Sequence, residues 1–71
     1  MGAESVGLEK WIQDSLLGQD GLTVNYGENQ EIVGTIVRCE SGILFMKATE
    51  RYTNYAVLIP VDKVNAIWVR H

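Results

Sequence analysis

Arg51 and Tyr52 are adjacent, and a cation beside an aromatic ring can hold a phosphate while the ring stacks a base of a single strand. Arg38, Lys47, Lys63 and Arg70 lie in the same half of the chain, where cations could follow a phosphate backbone through contacts that weaken as salt rises. The competing account makes them ordinary solvated charges on exposed strand faces. Tyr26, Tyr55, Phe45, Trp11 and Trp68 also carry rings, but Phe45 and Trp68 fall within apolar alternation and read as core or interface. Cys39 is the sole cysteine and has no histidine within sequence reach, so it reads as a small buried hydrophobe rather than a nucleophile. Glu40, Glu50 and Asp62 lack metal-ligand spacing, and no glycine-rich phosphate loop precedes a helix. The expectation is a protein with no catalytic residue, no metal and no cofactor.

These residues need a frame, and 71 residues supply one domain, spanning 1–71. A chain this short buries only about 60% of the surface its unfolded form exposes, so its core is marginal. With no disulfide pair and no cysteine–histidine cluster, oligomerisation is the remaining common route to stability. A hydrophobic content of 46% is ordinary for a globular chain, and no apolar run approaches the roughly 18 residues of a membrane span. Met1 to Glu9 lack the basic start and apolar middle of a secretory signal, so the expected setting is a reducing cytoplasm with Cys39 as a free thiol.

The net charge of −3 works against simple nucleic-acid binding, but the charge is unevenly spread. Residues 1–36 set Lys10 against Glu4, Glu9, Asp14, Asp20, Glu28 and Glu31, whereas residues 37–71 set five basic residues against Glu40, Glu50 and Asp62. The cations therefore travel with the second half of the chain.

Leu8, Trp11, Ile12 and Leu16 recur at spacings of three and four, which predicts an amphipathic helix over about 5–17 with Trp11 and Leu8 turned inward. Ser5 is placed to cap its start and Gly18 to end it. Strands are expected within 21–70. Leu22 to Tyr26 alternates apolar with polar, and Glu31 to Glu40 alternates with Ile32, Gly34, Ile36 and Arg38 on one face and Val33, Thr35, Val37 and Cys39 on the other. Gly34 inside a strand marks a sharp bend or the close approach of another backbone. Ser41-Gly42 suits a tight hairpin into a third strand from Ile43 to Arg51, with Leu44, Met46 and Ala48 on one face. Tyr55 to Ile59 is apolar throughout, which requires cover on both faces, or cover on one and an interface on the other. Pro60 ends that run, Val61-Asp62-Lys63 is one tight turn, and Val64 to Val69 is the fifth strand. The fold class is mainly β: a helix followed by a strongly bent five-stranded antiparallel sheet forming a small open barrel.

This order of elements resembles the Sm-like family, which includes the bacterial Hfq proteins and whose barrel is of the SH3-like kind. Glu31-Ile32-Val33-Gly34-Thr35-Ile36-Val37 looks like its first motif, and Ile59-Pro60-Val61-Asp62-Lys63-Val64 looks like the end of its second. The chain departs from the family where the family binds RNA: Glu40 stands for the usual aspartate, Leu44 for the base-reading asparagine, and Pro60-Val61 for arginine-glycine.

The resemblance implies a homo-oligomeric ring in which strand four of one subunit pairs with strand five of the next, removing both exposed edges. Tyr55, Val57, Leu58, Ile59, Val64 and Ile67 are the expected interface residues. It also implies binding of single-stranded RNA, with DNA the related ligand, in a role in nucleic-acid processing. Glu40, Ser41, Gly42, Arg51, Tyr52 and Lys63 are the candidate contacts near the pore. The alternative is a structural or protein-interaction scaffold that binds no nucleic acid, its acidic helix meeting a protein partner.

Overall fold

The structure, a computed structural model, describes residues 3–70, with side chains from Gly7 onward. Leu8, Ile12 and Leu16 recur every four residues and set the inward row of the helical segment. Helix α1 (Ala3–Trp11) runs directly into a five-residue π-helical turn, Ile12–Leu16. Ile12 and Leu16 are buried and Leu8 packs partly against them, but Trp11 is 67% exposed, contrary to the inward placement its spacing suggests. The row of four-residue steps already fills the space over the sheet, so Trp11, one position before Ile12, falls on the flank. Ser5 lies inside α1 rather than at its cap. Gly18 does terminate the segment, with φ of +82°, and its N–H donates to the Ile36 carbonyl at 2.9 Å, which pins the helix end to the sheet.

Five strands follow: β1 (Leu22–Tyr26), β2 (Gln30–Glu40), β3 (Ile43–Ala48), β4 (Ala56–Pro60) and β5 (Val64–Trp68). A short 3-10 turn, Val61–Lys63, joins the last two, as the proline and the short spacing require. All neighbours are antiparallel, in the order β4-β3-β2-β1-β5. The sheet does not close into a barrel, so β4 and β5 are its two edges. The third strand ends at Ala48, short of Arg51, and the fourth begins after Tyr55. The connection between them makes its own turn, with Tyr52 in the left-handed region (φ 62°) and the Tyr55 N–H bonded to the Tyr52 carbonyl at 3.0 Å.

Strand β2 organises the sheet. It pairs with β1 along its first half and with β3 along its second, and Gly34 alone belongs to both ladders, opposite Leu22 and Ala48. A Cβ at Gly34 would collide with the Lys47 carbonyl oxygen and sit 2.9 Å from the Ala48 Cα, so the close backbone approach expected of an interior glycine is present. Three residues later the register slips: Ile36 faces Met46 and Arg38 faces Phe45, leaving Val37 as the extra residue of a bulge. The bulge exchanges the two faces. Ile32, Gly34 and Ile36 are buried before it and Cys39 after it, so Arg38, expected on the Gly34 face, turns out to solvent while Cys39 turns in.

The core gathers Ile12 and Leu16 from the helical segment with Leu22, Val24, Ile32, Ile36, Leu44, Met46, Ile59 and Val61 from the sheet and its last turn. Leu44, Met46 and Ala48 form the buried face of β3, as the alternation predicts.

Candidate nucleic-acid and subunit interfaces

The hairpin between β2 and β3 turns on Ser41 (φ 54°) and Gly42 (φ 75°). Two consecutive left-handed residues match the twist of the flanking strands, and glycine tolerates this at no steric cost. The hairpin does not stand alone. The Val61 N–H donates to the Gly42 carbonyl at 2.8 Å, and the Gly27 N–H donates to the Lys63 carbonyl at 2.9 Å. The β4–β5 turn thereby bridges the β2–β3 and β1–β2 turns, and the candidates Glu40, Ser41, Gly42 and Lys63 come together at one pole.

At that pole the chemistry is largely occupied. The Glu9 carboxylate accepts the Gly42 N–H at 2.7 Å, and the Gln13 side-chain amide donates to the Cys39 carbonyl at 2.6 Å. Glu40 is paired with the Arg38 guanidinium at 3.2 Å. Glu9, Glu28, Glu40 and Asp62 lie in or beside these contacts, against Arg38 and Lys63, so carboxylates outnumber cations there. The β1–β2 turn is braced by an asparagine chain. Asn65 donates to the Asn25 side-chain oxygen at 2.8 Å and to the Gly27 carbonyl at 3.0 Å, and Asn25, buried on β1, donates to Asn29 at 3.1 Å. Asn65 is the residue left over where the β1–β5 register shifts. Nothing in the spacing of three asparagines 4 and 40 residues apart signalled this network.

Arg51 and Tyr52 do not join the pole. They sit beyond the other end of β3, separated from Ser41 by its six residues, about 20 Å of strand. Arg51 lies in a shallow polar hollow with Glu31 and Glu50, and Tyr52 packs edge-on against Tyr55 at a ring separation of 6.5 Å. The six candidates thus form two groups.

The outer face of β2, β3 and β4 brings together residues that the linear pattern did not pair. Arg38, Phe45 and Leu58 stand side by side across three strands, and Thr35, Lys47 and Ala56 form the next row. The Arg38 guanidinium lies 5.7 Å from the centre of the Phe45 ring, within cation–π range. Phe45 is only half-buried and Trp68 is 53% exposed, so of the core and interface roles their alternation suggested, neither residue fills the core one.

The expected interface residues fall on the two edges. Tyr55 and Leu58 project from the β4 side at 67% and 55% exposure, whereas Ile59 is buried in the protomer's own core and offers a partner only its backbone. Val57, Val64 and Ile67 pack partly against that core. An apolar groove runs along β5, lined by Leu8, Trp11, Leu16, Val64, Ile67 and Val69.

Cys39 is inert in this setting. Burial first, and the nearby Glu9 charge second, push its thiol up from 9.0 to about 11, which suppresses the reactive thiolate at neutral pH. No cluster of three or more metal-binding side chains occurs among the described residues, and no helix among them is long and apolar enough to cross a membrane.

The chain belongs to a family described as a domain of unknown function, DUF6897, whose model matches residues 8–70. No curated protein and no solved structure matches it.

Proposed function

We propose, starting from a family defined by sequence and not by activity, that this chain is an Sm-like module that self-assembles through its sheet edges and binds single-stranded nucleic acid without chemistry. The observation that carries the reading is the strand order β4-β3-β2-β1-β5, which leaves two unpaired edges at the ends of one sheet. An unpaired strand edge is a template for another chain, and the β4 edge of one copy and the β5 edge of the next are complementary in what they expose. One presents Leu58, the other the Trp11–Ile67 groove and Trp68. Closing such contacts into a ring buries apolar surface that a protomer of this size needs for stability. A buried, unpaired Cys39 suits a reducing, cytoplasmic setting.

Light scattering on the purified chain tests assembly, and a single monomeric mass at 100 µM, on the order of the concentrations where weak ring contacts saturate, overturns it. Anisotropy of labelled homopolymer oligonucleotides at low salt tests the ligand, and no binding to any of them removes nucleic acid from the reading.

A second reading is a scaffold that meets proteins rather than nucleic acid. It is favoured by the turn pole, where the Gly42 amide is already taken by Glu9 and carboxylates outnumber cations, a poor environment for phosphates. Protein binding that survives high salt, with no oligonucleotide binding, selects it.

A further inference from the structure

We propose that the single strand lies on the outer face of β2, β3 and β4, in the groove between Phe45 and Tyr55, and not at the turn pole; this rests on the nucleic-acid reading above. The groove is lined by Val37, Arg38, Phe45, Lys47, Asn54 and Tyr55. Its composition differs from the rest of the protein. In a chain of net charge −3 it places Arg38 and Lys47 on one face, with the half-buried Phe45 beside them and the exposed Tyr55 at the far margin.

Each ring is held ready. Phe45 is fixed from one side by the Arg38 guanidinium, which Glu40 orients in turn at 3.2 Å. Tyr55 is 67% exposed and packs in a T-shaped arrangement with Tyr52, which holds the ring in place while leaving much of it open to solvent. Lys47, in the row beside Phe45, makes no ion pair with any described residue. Bases stack on such rings irrespective of sequence, while neighbouring cations follow the phosphates. The margins carry two carboxylates. Asp20 accepts from the Thr35 hydroxyl at 2.9 Å, and Glu40 is neutralised by Arg38.

One feature favours a nucleic acid over an acidic peptide: the rings offer stacking surface that a carboxylate chain cannot use. The turn pole has one cation, Lys63, and no accessible ring among its candidate residues, Glu40, Ser41, Gly42 and Lys63.

The experiment compares the wild-type chain with Lys47→Glu, Lys47→Gln, Tyr55→Ala and Lys63→Glu, using fluorescein-labelled 12-mers of U, A and dT at about 50 mM salt, where phosphate contacts are strong. Circular dichroism confirms the fold of each variant, all of which alter exposed positions. The expected result is a loss of about tenfold or more for Lys47→Glu and Tyr55→Ala, a smaller loss with a shallower salt slope for Lys47→Gln, and affinity within about twofold for Lys63→Glu. Wild-type binding that is lost with Lys63→Glu but kept with Lys47→Glu and Tyr55→Ala overturns this site and leaves the nucleic-acid reading standing. Wild-type failure to bind any 12-mer overturns the reading and this site with it. Displacement of bound 12-mer by an equimolar oligoglutamate peptide overturns nucleic acid as the occupant of the groove.

Discussion

The Glu9 carboxylate accepts the backbone N–H of Gly42 at 2.7 Å, linking a helix to a hairpin 33 residues away. With the Gln13 amide on the Cys39 carbonyl, it makes the helix a strap across the end of β2. Hydrogen bonds to charged groups contribute about 1.5–3 kcal/mol, less where solvent reaches them as it does here. Glu9→Ala is therefore expected to lower unfolding stability by about 1 kcal/mol and to raise hydrogen exchange selectively at Gly42. Urea titration and amide exchange measure both, and unchanged protection at Gly42 contradicts the strap.

Gly34→Ala places a Cβ against the Lys47 carbonyl and the Ala48 Cα, and both obstacles are backbone. Neither can step aside as a flexible side-chain tip would. Overpacking of this kind costs about 1–3 kcal/mol, and in a domain this small that is a large share of the total. Thermal unfolding should show a fall in Tm of about 5–15 °C, scaling from the small-domain relation between stability and midpoint. An unchanged midpoint would mean that β2 and β3 separate freely at this crossing.

Adjacent positions on β4 should respond in opposite ways. Leu58 is 55% exposed in the protomer, so Leu58→Asp is expected to leave the fold intact and, on the proposed edge-to-edge assembly, to lower the oligomeric mass by placing a charge at that contact. Ile59 is 1% exposed, so Ile59→Asp buries an unpaired charge and unfolds the chain. Size-exclusion chromatography with light scattering, alongside circular dichroism, separates the two. A Leu58→Asp protein of wild-type mass removes β4 from the interface.

The Cys39 thiol makes stability depend on alkaline pH. Between 9.0 and about 11 the unfolded chain has lost this proton and the folded chain still holds it, so the contribution is fully present below pH 9 and declines as pH rises through that window. Other groups titrate there too, so the comparison is with Cys39→Ala, whose stability should fall less steeply above pH 9. Equal slopes contradict the assignment. In the folded protein at pH 8 the same shift predicts alkylation far slower than in urea.

Several elements were legible in the sequence because their causes are local. The span of β1, the hairpin at Ser41-Gly42 and the Pro60 stop depend on side-chain period and backbone dihedrals within a few residues, and they stand where the pattern puts them. Gly34 was legible for a related reason, since an interior glycine has few uses in a strand, and here it is the point where two ladders meet.

Local period could not report what depends on contacts between distant segments. One extra residue at Val37 turns Arg38 out and Cys39 in, because a slip of one position exchanges every following side chain between faces. Trp11 has helical spacing to Leu8, yet the row of Leu8, Ile12 and Leu16 already fills the space above the sheet. The candidate contacts likewise shared the second half of the chain, but the length of β3 divides them. The amino-acid sequence by itself determined a helix, five strands, a special role for Gly34 and the uneven placement of charge, all set by neighbours in the chain. Only the tertiary structure decided which strands are edges, which turns meet, and which cations stand beside exposed rings, because register and strand order come from pairing across the sheet.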